Sequence, residues 1–259
     1  MKILVTGGGG YLGSEVCRLA VQRGFEVLAT RLSTPAPHGR SLRLDVRDEA
    51  AVGRVFMRHG PQVVVHTAYR QTGPEMESAI VRGSHAVALH AHRCGARLVH
   101  LSSDLVFDGE AAPYREEDEP RPVSAYGAAK ARAEELVREL HPEAVLVRTS
   151  VLYGKPEPGP QERLAASGGS FYTDEIRCPT VVSELAEALL ELATLDVRGP
   201  LHVAAPDAVS RLELARLLGA VDPAGAPAPP GRPRDVSLDS SRAEELLRTR
   251  LRGVREVLK

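Results

Sequence analysis

The chain has 259 residues, of which 43% are hydrophobic and 26% charged, enough to bury the core of one large domain or of one domain with an appendage. Its 33 basic and 34 acidic residues nearly cancel, which argues against a nucleic-acid or membrane-surface partner selected by bulk charge and favours a small-molecule partner. The three cysteines are far apart and the nine histidines are scattered, and the three on one predicted helix, His85, His90 and His92, lack the carboxylate or cysteine company of a metal cluster, so we predict no metal site.

Apolar runs of strand length alternate with amphipathic helical stretches along the first 154 residues. Strands are predicted at residues 2–6, 25–30, 41–44, 63–67, 97–102 and 145–149. Helices are predicted at residues 11–23, 48–59, 77–94 and 124–140. The continuous β-branched run Val63-Val64-Val65 is typical of a strand buried on both faces of a parallel sheet. With right-handed crossovers, this predicts an α/β fold, a Rossmann-like doubly wound parallel sheet.

The pattern changes after residue 154. A loop is predicted at 155–160, a helix at 183–195 with Ser183 as its cap, a short strand at 201–204 and a helix at 211–218. A proline-rich run at 222–233 precedes the last helix, near 240–250. We therefore predict a Rossmann domain at 1–154, its sheet completed by residues around 180–205. Residues 155–180 and 205–259 would form a small helical cap that binds substrate over the carboxyl ends of the strands.

A glycine-rich turn joins the first strand to the first helix, with glycines at each position from Gly7 to Gly10 and again at Gly13. Gly7 permits the tight turn, Gly10 lets the backbone approach a pyrophosphate, and Gly13 lets helix and strand pack closely. The amides and positive dipole end of the helix favour the same phosphates. We predict a dinucleotide site here, which includes Tyr11 and Leu12 at the helix start.

The end of the second strand bears on the choice of cofactor. An acidic side chain there would hold the ribose 2'-hydroxyl of NAD, whereas this chain has Thr30-Arg31. Arg31 could pair with the 2'-phosphate of NADP, so NADPH is the favoured reductant. NADH remains the alternative, because a solvent-facing arginine is ordinary in an arginine-rich chain.

Tyr126 and Lys130 lie four residues apart in a predicted helix that Ser124 caps, so their side chains face one side. Of the 33 basic residues 29 are arginine, yet this position keeps a lysine. Lysine is a compact point charge with a shiftable pKa, which a guanidinium could not replace. The pair can act as one acid and indicates chemistry; the alternative is a solvated helix face with an ordinary tyrosine and lysine.

Five segments together carry a family resemblance. They are Leu101-Ser-Ser-Asp-Leu-Val-Phe-Asp-Gly109, Tyr126-Gly-x-x-Lys130, Arg148-Thr-Ser-Val-Leu-Tyr-Gly154, Asp174-Glu-Ile-Arg-Cys-Pro-Thr180 and Arg232-Pro-Arg-Asp-Val-Ser-Leu-Asp-Ser-Ser-Arg242. The chain strongly resembles the extended short-chain dehydrogenase/reductases, specifically the dTDP-4-dehydrorhamnose reductase group, and the resemblance covers nearly its whole length.

The resemblance implies a catalytic triad of Ser103, Tyr126 and Lys130. A ketone reduced by hydride develops alkoxide charge, so it needs a proton donor and a second hydrogen bond at its oxygen. Tyr126 would donate the proton, Ser103 would bind the oxygen, and Lys130 would lower the pKa of the phenol while it grips the nicotinamide ribose. Ser102 is the alternative hydroxyl, but alternation along the strand points it the other way.

The resemblance also implies the binding residues. The adenine would lie against Asp45 and Val46, and the middle of the cofactor beside Ala68 and Tyr69. The nicotinamide end would lie at the Tyr126 and Lys130 side chains. The substrate would contact four residues, which are Ser103, Asp104, Leu105 and Tyr126.

Two positions depart from the family pattern. Ile80 stands on the helix after the fourth strand where the family usually has Asn, and Leu105 stands where the reductases usually have Tyr. The first change could weaken a proton relay or a structural water, and the second removes a polar group expected near the sugar. The segment 159–171 is also short and poor in aromatic residues. These departures bear on the substrate rather than on the fold.

Three functions are compatible with these residues. The leading hypothesis is an NADPH-dependent reductase of a 4-keto-6-deoxy sugar nucleotide. The second is a non-catalytic NADP-binding regulatory subunit that resembles the partner of methionine adenosyltransferase. The third, a sugar-nucleotide epimerase or dehydratase, would use tightly held NAD, and the lack of an acid near Thr30 disfavours it.

Location and partners complete the predictions. The amino terminus enters an apolar strand without a charged leader, and no apolar run approaches the ~18 residues of a membrane span, so we expect a cytoplasmic protein without membrane contact. The expected partner is a small-molecule nucleotide sugar, with no nucleic acid. A homodimer is left open.

Overall fold

The computed structural model describes residues 1–155 and 157–259. Its strands are β1 (Lys2–Thr6), β2 (Glu26–Arg31), β3 (Arg40–Arg43), β4 (Val63–His66), β5 (Arg97–Leu101), β6 (Val145–Arg148), β7 (Leu152–Tyr153), β8 (Ser170–Tyr172), β9 (Ile176–Arg177), β10 (Thr180–Val181), β11 (Gly199–His202), β12 (Val209–Ser210) and β13 (Ala224–Ala226). Its helices are α1 (Tyr11–Gln22), α2 (Glu49–His59), α3 (Met76–Arg93), α4 (Ala125–Leu140), α5 (Pro160–Ala166), α6 (Val182–Leu192), α7 (Arg211–Leu217), α8 (Ser241–Leu246) and α9 (Val254–Val257). A 3-10 turn, Asp104–Val106, follows β5.

A seven-stranded sheet has the order β11-β6-β5-β4-β1-β2-β3. The pairs from β6 to β3 run parallel. The chain builds β1, β2 and β3 to one side and then returns to build β4, β5 and β6 on the other. The direction reverses between β1 and β4, which is where folds of this kind bind ligands. The predicted α/β, doubly wound parallel sheet is confirmed.

The first six predicted strands and first four helices are confirmed to within one residue at each end. The predicted cap at Ser183 is wrong: β10 pairs with β7 up to Val181, and α6 begins at the next residue, so Ser183 lies in its first turn. The predicted loop at 155–160 contains Pro156, which lies outside the described residues, and Pro160 already begins α5. The last predicted helix ends early because Leu247 is extended, with φ −99° and ψ 143°.

The chain divides into two compact units, and the first comprises Met1–Ser102, Ala129–Val147 and Ala186–Pro200. Its core joins apolar side chains of the central strands to those of α2 and α3. The members include Leu4, Leu28, Val64, Leu98, Val52, Phe56, Val87 and Ala91. Because the strands bury both faces, Ile3, Val5 and Val65 are as buried as their neighbours.

The second unit comprises Ser103–Ala128, Arg148–Leu185 and Leu201–Lys259. Its short strands pair two by two, β10 with β7, β12 with β9 and β13 with β8. Apolar side chains of these strands and of α7 and α9 form two small clusters, centred on Tyr153 and on Phe171. Across the described parts of both units, the helices are too short or too polar to cross a bilayer.

Candidate active site

The glycine-rich turn after β1 lies in the first unit, at the point where the strand order reverses. Gly7 has φ +69°, and a Cβ there would lie 2.9 Å from the Ala68 Cα, so only glycine fits without strain. A Cβ on Gly13 would lie 2.3 Å from the Gly7 carbonyl oxygen and 2.8 Å from the Thr67 Oγ1. These contacts bring α1 directly against the ends of β1 and β4, as the glycine spacing predicts.

This turn fits the diphosphate of a dinucleotide. Helix α1 begins at Tyr11, and the residue before it, Gly10, has no side chain to cap the helix. The first turn of α1 also carries no acidic residue. A glycine cradle at a helix start, without a carboxylate of its own, suits a bound anion.

A hydrogen-bond network fixes the end of β4 next to this turn. The Thr6 Oγ1 accepts from the amides of Thr67 (3.1 Å) and Ala68 (3.2 Å), and it lies 2.7 Å from the His66 Nδ1. Because its two lone pairs are used, its proton goes to the His66 Nδ1. Burial, aided by the charge of Lys130, lowers the pKa of His66 to about 3, so the ring is neutral and Nε2 carries its proton toward the Ser84 Oγ. The network holds Ala68 where the cofactor's middle is expected.

Lys130 lies in the interior of the first unit, 4% exposed. Its Nζ donates to the Leu101 carbonyl oxygen at 2.9 Å and stands 5.0 Å from the centroid of the Tyr69 ring. Burial lowers its pKa to about 8, against the opposing effect of the Glu134 carboxylate. The Ser102 hydroxyl donates to Glu134. Ser102 is thereby engaged with α4, which agrees with its rejection as the substrate hydroxyl.

Helix α4 carries Tyr126 one turn before Lys130. The predicted cap is present, because the Ser124 Oγ accepts from the Gly127 amide at 3.1 Å. A Cβ on Gly127 would lie 2.0 Å from the Leu105 carbonyl oxygen. Glycine at this position therefore lets the start of α4, with Tyr126, lie directly against the segment that follows Ser103.

That segment belongs to the second unit and is held by hydrogen bonds. The Ser103 Oγ accepts from the Leu105 amide at 3.2 Å and donates to the Asp104 Oδ1 at 3.1 Å. Asp104 is fully buried, and its two oxygens accept from Arg177 at 2.7 and 2.5 Å. The carboxylate of Asp104, which was expected to contact the sugar, thus forms an internal ion pair with Arg177. Leu105 is partly exposed. Arg177 was not among the predicted site residues.

The residues expected at the adenine end are also tied to neighbours. The Arg31 guanidinium donates to the Ser41 Oγ at 3.2 Å and to the Ser33 carbonyl oxygen at 3.1 Å. Arg47, which the sequence did not single out, donates to both oxygens of Asp45 and holds the pKa of that carboxyl below its usual range. The Val46 side chain belongs to the buried core. Of the three expected residues, Arg31 and Asp45 are partly exposed and Val46 is buried.

The two departures from the family pattern lie in different surroundings. Ile80 is in α3, as expected, and is 1% exposed. Its apolar side chain completes the packing of that helix and offers no donor or acceptor. Leu105 lies in the 3-10 turn and contributes its backbone to the contact with Gly127.

Comparison with known proteins identifies relatives over most of the chain. A dTDP-4-dehydrorhamnose reductase of Mycobacterium tuberculosis is 37% identical over 233 residues, which cover 83% of this chain and 73% of that protein. The methionine adenosyltransferase 2 subunit beta of Bos taurus is 30% identical over 283 residues, which cover 95% of this chain and 82% of that protein.

Solved structures share the fold. MoeE5 in complex with UDP-glucose and NAD superposes with a TM-score of 0.87 at 25% identity, covering 100% of this chain and 96% of that one. A dTDP-4-dehydrorhamnose reductase of Bacillus anthracis in complex with NADP gives a TM-score of 0.83 at 24% identity, covering 99% and 96%. The family model described as the RmlD substrate binding domain matches residues 1–259. The chain belongs to this RmlD-like family of sugar-nucleotide-binding proteins.

Proposed function

We propose that the chain is an NADPH-dependent reductase of a 4-keto-6-deoxy sugar nucleotide. The observation that carries the proposal is the close approach of Gly127 to the Leu105 backbone. Because of it, the start of α4, which includes Tyr126, packs against the segment that follows Ser103. A proton donor and an oxygen-binding hydroxyl are what carbonyl reduction requires. The 37% identity to a protein named dTDP-4-dehydrorhamnose reductase supports the substrate class.

NADPH would be held by the glycine turn from Gly7 to Gly13, with Arg31 at the 2'-phosphate. Asp45 and Val46 would contact the adenine through their backbone. The Asp45 side chain is bonded to Arg47, and the Val46 side chain is buried in the core. When bound, the reduced nicotinamide supplies the hydride. NADH is a second reductant of lower preference, and proteins with NAD share the fold.

Three side chains of this chain would serve the reaction. The Ser103 hydroxyl donates a hydrogen bond to the carbonyl oxygen of the substrate. Tyr126 gives its phenolic proton to that oxygen as negative charge develops there. The ammonium group of Lys130 stabilises the phenolate that remains, because an adjacent positive charge favours the ionised form.

The test is a panel of sugar nucleotides. Purified protein is expected to bind NADPH and to oxidise it when dTDP-4-keto-6-deoxy sugars are added, followed by loss of absorbance in the reduced nicotinamide band. Tyr126→Phe removes the proton donor, so it is expected to lower kcat by at least about 100-fold while cofactor binding is kept. An exposed neighbour, Ala128→Ser, serves as the control and is expected to keep wild-type turnover.

A second candidate is a regulatory subunit that binds NADP without turnover. It is favoured by the 30% identity to methionine adenosyltransferase 2 subunit beta and by the absence of polar groups on the Ile80 and Leu105 side chains. Binding of NADPH without oxidation by any member of the panel would support this candidate and contradict the first.

We further propose a cytoplasmic location and a homodimer. Light scattering of the purified protein tests whether it is a dimer.

A further inference from the structure

A buried ion pair lies directly behind the Ser103 hydroxyl. The side chains of Asp104 and Arg177 are 0% and 6% exposed. The Arg177 Nε donates to the Asp104 Oδ2 at 2.7 Å, and its Nη2 donates to Oδ1 at 2.5 Å. This two-point geometry fixes the plane of the carboxylate and both of its oxygens.

Arg177 is itself fixed from two sides. It ends β9, where it stands opposite Val209 of β12. On the side away from Asp104, its Nη1 lies 3.5 Å from an oxygen of Glu175, whose side chain is 2% exposed. Glu175 in turn accepts from Arg232 at 2.6 Å and lies 3.9 Å from the Arg211 Nε. Arg177 therefore has little freedom to leave the Asp104 carboxylate.

The Ser103 hydroxyl shares one oxygen with this arginine. It donates to the Asp104 Oδ1, the atom that also accepts from the Arg177 Nη2. Its own oxygen accepts from the Leu105 amide. To donate to a substrate oxygen, the hydroxyl must turn its proton away from Asp104. A buried carboxylate without a cation would bind that proton strongly, whereas one shared with a guanidinium binds it less.

We propose that Arg177 is a positioning residue for Ser103, which acts through Asp104 to leave the hydroxyl proton available to the substrate. The proposal rests on the reductase function and names a residue 73 positions away from Asp104 in the chain. In this role Arg177 contacts neither the substrate nor the reacting atoms. Its effect on turnover must therefore disappear when the Ser103 hydroxyl is removed.

A double-mutant cycle tests that requirement. Arg177→Met is expected to lower kcat by roughly tenfold or more, with little change in the KM for NADPH. Arg177→Met combined with Ser103→Ala is expected to be no slower than Ser103→Ala alone, because the two changes act through one hydroxyl. Losses that multiply in the double variant would overturn the proposal. The matched control is Arg234→Met, which breaks the exposed pair with Asp174 and is expected to leave kcat unchanged.

A second measurement is independent of turnover. Ser103→Cys is made in a Cys94→Ser background, which leaves only the buried Cys17 and Cys178 as other thiols. The pKa of the introduced thiol is read from the pH dependence of its alkylation by iodoacetamide. Adding Arg177→Met is expected to raise that pKa by about one unit or more, because the Asp104 charge is no longer shared.

Further variants keep the measurement decisive. Where Arg177→Met does not fold, Asp104→Asn replaces it and is expected to lower the thiol pKa, since the nearby negative charge is removed. An unchanged pKa in the variant that folds would overturn the coupling. A shifted pKa in a protein that reduces no keto sugar would instead contradict the reductase function and leave the coupling standing.

Discussion

Lys130 is an ammonium group in surroundings that disfavour its charge. Its side chain is almost fully buried, and burial lowers its pKa to about 8. The folded value lies below the ordinary one, so the group loses its proton as pH rises through about 8. The support that we propose it gives to the Tyr126 phenolate would be lost with that proton. We expect kcat to fall by roughly tenfold for each pH unit above that point, measured as a pH profile at saturating substrate.

A control separates this titration from a general effect of alkali. Lys259→Arg is expected to keep the profile. Lys130→Arg is expected to lose turnover, because a guanidinium is larger than an ammonium group and Lys130 is buried with its Nζ bonded to the Leu101 carbonyl oxygen. A wild-type kcat that stays level through this pH range would contradict the role of Lys130.

Arg31 bears on the choice between the two cofactors. Two of its nitrogens are held by Ser41 and Ser33, so the guanidinium is already oriented near the glycine turn. Arg31→Ala should remove a charge-assisted contact with a 2'-phosphate, worth about 1.5 kcal/mol, and lower the preference for NADPH over NADH by about tenfold. The measurement is kcat/KM with each cofactor. An unchanged ratio of kcat/KM for NADPH to that for NADH would show that Arg31 does not determine the cofactor preference.

The residues that could be predicted are those the chain keeps close together. Tyr126 and Lys130 share one helix turn, and Ser103 sits in a motif readable as a short string. The partners of these residues are long-range: Arg177 is 73 residues from Asp104, and Thr6 is 60 residues from His66. Such contacts depend on how the strands are ordered in space, and a local sequence pattern contains no information on that order. Arg177 could have been noticed only as a basic residue within a family segment.

The start of α4 depends on one glycine. A Cβ on Gly127 would lie 2.0 Å from the Leu105 carbonyl oxygen, and a backbone atom cannot move aside as a flexible side chain can. Gly127→Ala gains helix propensity, yet we expect it to lower the free energy of unfolding by about 1–3 kcal/mol through overpacking. It should also lower kcat, because the Tyr126 end of the helix is displaced from the Ser103 segment. Denaturant unfolding and turnover assays measure both effects.

The adjacent residue provides the matched control. Ala128 is exposed, and Ala128→Gly is expected to cost about 1 kcal/mol of stability from helix propensity alone, with kcat unchanged. If Gly127→Ala has the stability and turnover of the wild type, the close approach to Leu105 is not required for the site.

Helix and strand positions were predictable where periodicity governs them. The strands of the central sheet are long and apolar, so their sequence signal is strong. Ser183 shows the opposite case: a good capping residue lies inside α6 because the pairing of β10 with β7 fixes where the helix begins. The two-residue strands of the second unit have too few residues for any periodic signal. Tertiary pairing determines these short elements.

For the molecule as a whole, alternation of strands and helices was enough to predict the sheet, because right-handed crossovers leave few strand orders. Right-handed crossovers also predict that the strand order reverses between β1 and β4, where the glycine turn lies. They do not predict how the short strands of the second unit pair. Composition supplied only the class of partner, since a nearly neutral chain gives no electrostatic indication of a macromolecule.

Cofactor binding should be visible in the stability of the whole protein. A ligand that binds only the folded state stabilises it by about 2.7 kcal/mol at 100 times its Kd, which corresponds to a rise in Tm of about 5 to 10 °C for a chain of this size. We expect NADPH to give this rise and NADH a smaller one at equal concentration. Tyr126→Phe is expected to keep the rise, because the role we propose for the phenol is proton donation and not binding of the phosphates. Arg31→Ala is expected to reduce the rise for NADPH alone. If neither cofactor raises the Tm at millimolar concentration, the glycine turn does not bind a dinucleotide, and both the reductase and the regulatory subunit would be contradicted together.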